Sequence, residues 1–188
     1  MKKIMFNDKY GLTKAVLDGR KTMTRRIVPQ STIDKYALLE DQTIIDDARY
    51  DIGEVVAVAQ SYNELEYDNR SLDRSPIDFR IVRGTLGQSK GWNNKMFVIA
   101  EACKHHIRIT DISVERLQDI SEEDCLKEGI WRANNVGLKG TTYWYHGLVN
   151  SSFRTPQEAY ASLIDRISGK GTWARNNYVF VYEFELVD

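Results

Sequence analysis

Residues 17–28 read LDGRKTMTRRIV, and this stretch predicts a short helix that ends at a glycine and is followed by a strand. The apolar residues between Asp8 and Asp18 have helical spacing, and Gly19 is typical of the position just beyond a helix end. The β-branched residues from Thr22 to Val28 then favour a strand, which Pro29 closes. Helix and strand are therefore expected to meet at Gly19.

Further strands are predicted at Val55–Ala59, at Phe79–Val82, on both sides of a break near Asp111, and at Tyr178–Val187. Two helices have clear capping signals. One begins at Ser121 and runs to Glu128 before Gly129, and the other follows Thr155-Pro156-Gln157-Glu158 and stops at Gly169. Strands outnumber helices and are irregularly spaced. The pattern therefore favours an α+β fold with a mixed sheet or barrel.

The length of 188 residues, with 42% hydrophobic and 28% charged residues, predicts a single globular domain over residues 1–188. Irregular insertions are expected near residues 30–50, 63–94 and 131–154. The formal net charge of −1 gives no overall attraction to nucleic acid, so RNA binding would need a local patch. The densest patch is formed by Arg20, Lys21, Arg25 and Arg26, although such a run is more often a solvated face.

The two cysteines, Cys103 and Cys125, are too few for a disulfide framework or a four-thiolate zinc site. Reduced thiols, the lack of an apolar stretch of about 20 residues and the lack of a signal-peptide pattern predict a cytoplasmic protein without membrane contact. The adjacent histidines at 105 and 106 would face opposite sides of a strand, and His146 falls in a loop. No metal site and no cofactor are predicted, and the oligomeric state is left open.

The spacing of Gly19, Lys21 and Arg26 resembles the signature G-x-K-x-x-E-x-R of the ASCH family. Thr24 stands where many members have Glu. The resemblance implies a PUA-like β-barrel, mixed and mostly antiparallel, with a few flanking helices. It also implies a protein that acts on or binds a modified nucleoside or RNA.

The bacterial N(4)-acetylcytidine amidohydrolases of that family also carry Thr at this position, and their catalytic residues are the Lys, the Thr and a later Glu. Residues 117–128, LQDISEEDCLKE, are similar to the segment that carries this Glu, which places it at Glu128. The resemblance therefore implies a catalytic set of Lys21, Thr24 and Glu128. It also implies contacts to substrate or RNA from Gly19, Arg20, Arg25 and Arg26.

A larger phage and bacterial ASCH subgroup resembles other parts of the chain, namely DIGEVVAV at 51–58, KMFV at 95–98 and GTWARNNYVFV at 171–181. These pieces and the signature together span most of the sequence. Gln60 replaces an acidic residue that is usual after the core strand, and Asn177 replaces a Pro. The first departure weakens any function that needs a carboxylate at that position.

The residues can also be interpreted without the family. A Thr hydroxyl needs a base, and a Lys can act as one only if its pKa falls well below the usual value of about 10.4. Neighbouring arginines and burial would lower the pKa of Lys21, and Glu128 would oppose that shift while serving as proton donor to a leaving amine. Arg26 could hold the oxyanion. Strand alternation, however, puts Thr24 and Arg26 on the face opposite Lys21.

Two functions therefore remain open. One is an amidohydrolase that removes the acetyl group from N(4)-acetylcytidine or a related nucleoside, with Thr24 or a water activated by Glu128 as nucleophile. The other is a non-catalytic RNA- or nucleotide-binding module that uses the same groove. The loop from Trp131 to Arg154 could cover the site, and Trp92, Trp131, Trp144 and Tyr143 could stack on a base. A plain structural reading makes Lys21 and Glu128 only a salt bridge.

Overall fold

The computed structural model of the chain describes residues 1–36, 44–65, 89–134, 140–148 and 152–187. In this part the fold is α+β, with a mixed five-stranded sheet of order β1-β3-β4-β7-β2 and a second sheet of β5 and β6. The strands are β1 Lys3–Ile4, β2 Met23–Ile27, β3 Val55–Val58, β4 His106–Arg116, β5 Trp131–Asn134, β6 Thr141–Trp144 and β7 Tyr178–Leu186.

The α-helices of the described residues are α1 Leu12–Leu17, α2 Gln30–Lys35, α3 Glu122–Lys127, α4 Pro156–Ser168 and α5 Thr172–Arg175. Single 3-10 turns lie at Asp8–Tyr10, Ile45–Asp47, Lys90–Trp92, Lys95–Phe97, Ala100–Ala102 and Leu117–Asp119. Among these helices, none has the length and apolarity that crossing a bilayer requires.

The chain divides into two compact units, and the first unit contains Met1–Phe6, Val55–Arg108 and Leu186–Asp188. In it β1 pairs parallel with β3, and β3 pairs antiparallel with the start of β4. The ammonium group of Lys3 donates hydrogen bonds to the carbonyls of Lys95, Met96 and Val98, which holds that segment in place. A buried cluster follows from this arrangement, formed by Ala57, Leu65, Val98, Ala100, Ala102 and Cys103.

The second unit contains Asn7–Glu54 and Ile109–Glu185. In it β2 pairs antiparallel with β7, in a register that runs from Met23 opposite Glu183 to Ile27 opposite Val179. Helix α4 presents an apolar stripe to the core of this unit. The buried side chains of this core include Leu12, Val16, Ile112, Leu117, Ile120, Tyr145, Leu163, Val179 and Val181.

The two helices with capping signals begin and end where the sequence predicts. Ser121 Oγ accepts a hydrogen bond from the backbone N–H of Asp124 at 3.0 Å, and Thr155 Oγ1 accepts one from that of Glu158 at 3.2 Å. These caps satisfy donors that the first turn of a helix cannot pair internally. Gly129 and Gly169 follow at positive φ. The predictions for α3 and α4 are confirmed.

The structure corrects the prediction of two strands that break near Asp111, because β4 is a single strand of 11 residues. Ile107, Ile109 and Ile112 are buried, whereas the successive residues Thr110 and Asp111 are both exposed. Alternation therefore shifts by one residue, as at a bulge, and this shift gives the sequence its appearance of a break.

The insertions predicted as irregular also contain regular structure. Helix α2 and one 3-10 turn lie within 30–50, and the strands β5 and β6 pair within 131–154, with Trp131 opposite Trp144. Cross-strand packing of aromatic residues explains why this segment forms strands. The strand predicted at Phe79–Val82 lies outside the described residues, as does most of the predicted 63–94 insertion.

Both cysteines are expected to be unreactive in the folded protein. Burial raises the pKa of the Cys103 thiol, and burial raises that of Cys125 to about 12. The thiolate is the reactive form, so neither thiol should react with Ellman's reagent within minutes at pH 8. After unfolding in guanidinium chloride both should react. A native thiol that reacts at the rate of free cysteine would contradict this packing.

Candidate active site

The turn at Gly19 places the Lys21 side chain against the end of helix α3. Gly19 adopts a φ of 70°, and the backbone N–H groups of Arg20 and Lys21 both donate to the Ala15 carbonyl at 2.9 Å. The N–H of Thr22 then donates to the Lys127 carbonyl at 3.0 Å. The chain is thereby fixed between α1 and α3 before β2 begins.

The Lys21 ammonium and the Glu128 carboxylate form a buried ion pair. Lys21 Nζ lies 2.5 Å from Glu128 Oε2, and the two side chains are 1% and 5% exposed. The same nitrogen donates to the Glu128 carbonyl at 2.9 Å and to the Met23 carbonyl at 2.7 Å. An ammonium group has three donors, and these acceptors match them. The two residues are 107 positions apart in the sequence.

The Arg25 guanidinium holds the other side of the Glu128 carboxylate. Its Nη1 lies 3.4 Å from Glu128 Oε1, its Nε lies 2.7 Å from Glu115 Oε1, and its Nη2 lies 3.3 Å from Asp124 Oδ2. The Arg25 side chain is 1% exposed. The planar fork of arginine suits this arrangement, because a single group can bond several carboxylates in fixed directions. Glu128 is thus bound on both oxygens.

Burial is the main cause of two pKa shifts at the site. It lowers the pKa of the Lys21 ammonium below its ordinary value, and the nearby Glu128 carboxylate opposes this shift without cancelling it. Burial also raises the pKa of the Tyr160 hydroxyl well above its ordinary value, with Glu128 acting in the same direction. Lys21 is therefore easier to deprotonate than an exposed lysine, and Tyr160 keeps its proton.

Thr24 is buried on β2, where it lies opposite Tyr182 of β7. Side chains alternate along a strand, so residues 23 and 25 share one face and Thr24 shares the other with Arg26. Arg25 Nη1 lies 3.0 Å from Met23 Sδ, in agreement with this alternation. Because Arg25 bonds to Glu128, alternation directs the Thr24 hydroxyl to the face opposite the ion pair.

The predicted ligand-binding residues fall into two environments. Gly19 and Arg26 are exposed, and the half-exposed Arg20 lies 3.2 Å from Asp18 and stacks over the Trp131 ring at 4.0 Å. Arg25 is instead buried, and it contacts the buried Glu128 and the partly exposed Glu115 and Asp124. Contacts of these four residues with substrate or RNA stay a prediction. The structure brings together Lys21, Glu128 and Arg25.

Sequence reasoning missed three residues of the site, namely Glu115, Asp124 and Tyr160. Asp124 has the pattern of a capping residue, and Tyr160 fits the apolar stripe of α4, so neither position suggests chemistry from the sequence alone. The sequence does indicate that Arg25 lies near Lys21, because residues 21 and 25 of an extended chain share a face. In the described part of the chain, no group of three His, Cys, Asp or Glu could hold a metal ion.

Comparisons with known proteins give little support for a relationship. No family model matches the chain, and no curated protein matches it. A crystal structure of protein EF3133 from Enterococcus faecalis V583, of the family DUF984, is 13% identical, with a TM-score of 0.42. The match covers 100% of this chain and 77% of that chain. A likeness at this TM-score carries no argument about fold or function.

Removing Arg25 should strongly destabilise the protein. Arg25→Ala leaves Glu115, Asp124 and Glu128 without their shared cation, and breaking a buried ion pair typically costs about 3–5 kcal/mol. Arg25→Lys should also destabilise, because one ammonium cannot reach all three carboxylates. Urea unfolding measures the free energy of unfolding. The matched control is Lys14→Ala, whose ion pair with Asp18 is 78% exposed on the lysine side and should contribute little. Equal costs for the two alanine variants would contradict this assignment.

Proposed function

We propose that the chain is an amide hydrolase of the ASCH type that removes the acetyl group from N(4)-acetylcytidine or a related modified nucleoside. The observation that carries this proposal is the buried ion pair of Lys21 and Glu128. Two of the three residues that the resemblance names as catalytic lie in direct contact although they are distant in sequence. This pair differs from a surface salt bridge in three ways: it is buried, Lys21 has three acceptors, and Arg25 supplies a second cation to Glu128.

The reaction adds water across the acetyl amide. The nucleophile attacks the carbonyl carbon and forms a tetrahedral oxyanion, the amide C–N bond then breaks, and the exocyclic nitrogen of cytidine takes up a proton. The products are cytidine and acetate. A base must accept the nucleophile's proton, and an acid must protonate the leaving nitrogen. An amine–carboxylate pair in hydrogen-bond contact can perform both transfers by moving one proton within the pair.

The lowered pKa of Lys21 supports its role as the base, because its neutral amine forms at a lower pH than that of an exposed lysine. Glu128, bound on both oxygens, would keep its carboxyl group oriented while it passes the proton to the leaving nitrogen. The exposed Arg26 shares the other face of β2 with Thr24, so it is the proposed contact for a part of the substrate away from the reacting carbonyl. No cofactor is needed for these steps.

We infer that water is the nucleophile, since alternation along β2 directs Thr24 to the face opposite Arg25 and Glu128. In this mechanism Glu128 and Lys21 activate the water directly. The catalytic role that the resemblance gives to Thr24 would require its hydroxyl to reach Lys21 from the other face of the strand.

The assignment of a PUA-like barrel is part of the same proposal. The described strands run from β1 at one end of the sheet to β2 at the other without closing a barrel, so a PUA-like barrel over a single domain stays a prediction. The half-exposed Arg20 and the exposed Arg26 favour a second candidate, a non-catalytic module that binds RNA or nucleotides. Both candidates use the same part of the molecule.

Glu128→Gln should abolish most of the turnover, because glutamine keeps the size of the side chain and removes the titrating group. We expect the rate of cytidine release from N(4)-acetylcytidine, measured by chromatography, to fall at least about 100-fold. Thr24→Ala should retain a clearly larger rate. The matched control is Glu123→Gln, the same substitution on an exposed side chain of helix α3, which should leave the rate unchanged.

A loss in Thr24→Ala equal to that in Glu128→Gln would contradict water attack and return the nucleophile role to Thr24. No cytidine release by the unsubstituted protein would reject the hydrolase. Salt-dependent binding of single-stranded RNA without turnover would then support the binding module, because phosphate contacts release counterions. Melting temperatures of all variants separate lost chemistry from lost folding.

The rate should rise with pH as Lys21 loses its proton. Burial lowers the pKa of this ammonium from its ordinary value of 10.5, so the neutral base forms below the pH at which a free lysine would titrate. We expect the profile of kcat/KM against pH to rise with a midpoint below 10.5. Lys21→Arg, which keeps the charge but does not deprotonate, should lose both the turnover and this limb. A profile that is flat through this range would contradict Lys21 as the base.

A further inference from the structure

The two chain segments that carry Lys21 and Glu128 also make a second contact, between Arg20 and Trp131, nearer the surface. Arg20 precedes Lys21, and its guanidinium stacks at 4.0 Å from the centroid of Trp131, which follows Glu128 by three residues. The side chains of the inner pair are 1% and 5% exposed. In the outer pair, the Arg20 side chain is 31% exposed and Trp131 is 36% exposed. The inner pair is therefore almost completely buried, whereas the outer pair is partly exposed.

A second indole supports Trp131 from the neighbouring strand. Trp144 of β6 lies directly opposite Trp131 of β5, and the two rings stack with centroids 5.0 Å apart at an interplanar angle of 20°. Arg20, Trp131 and Trp144 thus form a continuous stack, which we call the Arg–Trp–Trp stack. The partner strand fixes the orientation of the Trp131 ring, so that little side-chain freedom remains to be lost when a planar ligand binds.

We propose that the Arg–Trp–Trp stack is a nucleobase-binding site, in which a pyrimidine ring inserts between the Arg20 guanidinium and the Trp131 indole. This inference rests on the proposed function, and it adds Trp131 and Trp144, which the resemblance does not name, to the recognition of the base. Trp131 would contact the base directly, and Trp144 would act as a positioning residue that holds the Trp131 ring.

The chemistry of the stack fits a base better than an aliphatic acyl amide. Indole and guanidinium planes both stack on nucleobases, and an arginine at the edge can also contact a phosphate. The ion pair of Arg20 with Asp18, at 3.2 Å, is a surface pair that contributes little stability. This contact therefore does not fix the position of the Arg20 side chain. It can swing outward while keeping its planar face toward the ligand. A base held there lies between the two chain segments that carry Lys21 and Glu128.

The test measures binding of cytidine, which carries no acetyl group and cannot be turned over. Isothermal titration of the unsubstituted protein should detect binding, and Trp131→Leu should weaken it at least about fivefold, as expected for loss of one base–aromatic stack. Trp131→Phe should recover part of the affinity. Trp144→Leu should weaken binding by less than Trp131→Leu, because its effect is indirect.

The chain offers a matched control in the same unit. Arg116 stacks over the Tyr178 ring at 3.7 Å, at the end of the β2–β7 pair where the Val28 N–H bonds to the Tyr178 carbonyl. Glu128 approaches β2 near its other end, through Lys21 and Met23. Tyr178→Leu removes an equivalent arginine–aromatic pair and should leave cytidine affinity within about twofold of the unsubstituted protein.

The outcomes separate this inference from the proposed hydrolase. Loss of cytidine binding in Trp131→Leu without any deacetylation by the unsubstituted protein would support the base site and reject the hydrolase. Deacetylation with an unchanged KM in Trp131→Leu would support the hydrolase and overturn the base site. No detectable cytidine binding by the unsubstituted protein, or equal losses in Trp131→Leu and Tyr178→Leu, would also overturn it. Circular dichroism of each variant confirms folding before binding is measured.

Discussion

A buried ammonium group must be given acceptors, and this requirement governs the second unit of the chain. An unpaired lysine in a protein interior is so costly that it would lose its proton or prevent burial altogether. Here the three acceptors come from Glu128 and from the carbonyl of Met23. The end of helix α3 and the start of β2 must therefore meet at Lys21. The turn at Gly19 supplies the approach, and the cap at Ser121 determines where Glu128 falls on α3.

Arg25 extends the same constraint, because a carboxylate bonded to one buried ammonium still has a second oxygen to satisfy. The guanidinium meets that need and in turn contacts Glu115 and Asp124. Two buried cations thus share one buried and two partly exposed carboxylates, and Lys127 lies 3.7 Å from Asp124 at the edge of this network. Such networks add less stability than an apolar core of similar volume. Under the proposed function these groups move protons as well as hold the chain together.

Features that depend on neighbouring residues could be predicted from the sequence, whereas contacts between distant residues could not. Caps at Ser121 and Thr155, the strand after Gly19 and the apolar run at Val55 are local patterns, and the structure confirms them. The resemblance named Lys21 and Glu128, which local patterns could not connect across the chain. The carboxylates around Arg25 were missed because Glu115 and Asp124 look like ordinary surface and capping residues until the fold brings them together. The shift along β4 was misread since a change of alternation and a strand break look alike in sequence.

Gly129 connects the buried pair with the exposed stack. Its φ of 102° lies in a region that L-residues rarely adopt, and a Cβ there would lie 3.3 Å from Leu12 Cδ2 and 3.8 Å from Lys21 Cδ. The chain can therefore leave helix α3 close over the lysine stem and reach Trp131 within three residues of Glu128. A side chain at this position would adopt a strained backbone conformation and would press on Leu12 Cδ2, so glycine suits this close passage over the lysine stem. The buried ion pair and the aromatic stack are thus connected by one short segment of chain, and under the proposed function a ligand held by the stack would lie beside the groups proposed to transfer its protons.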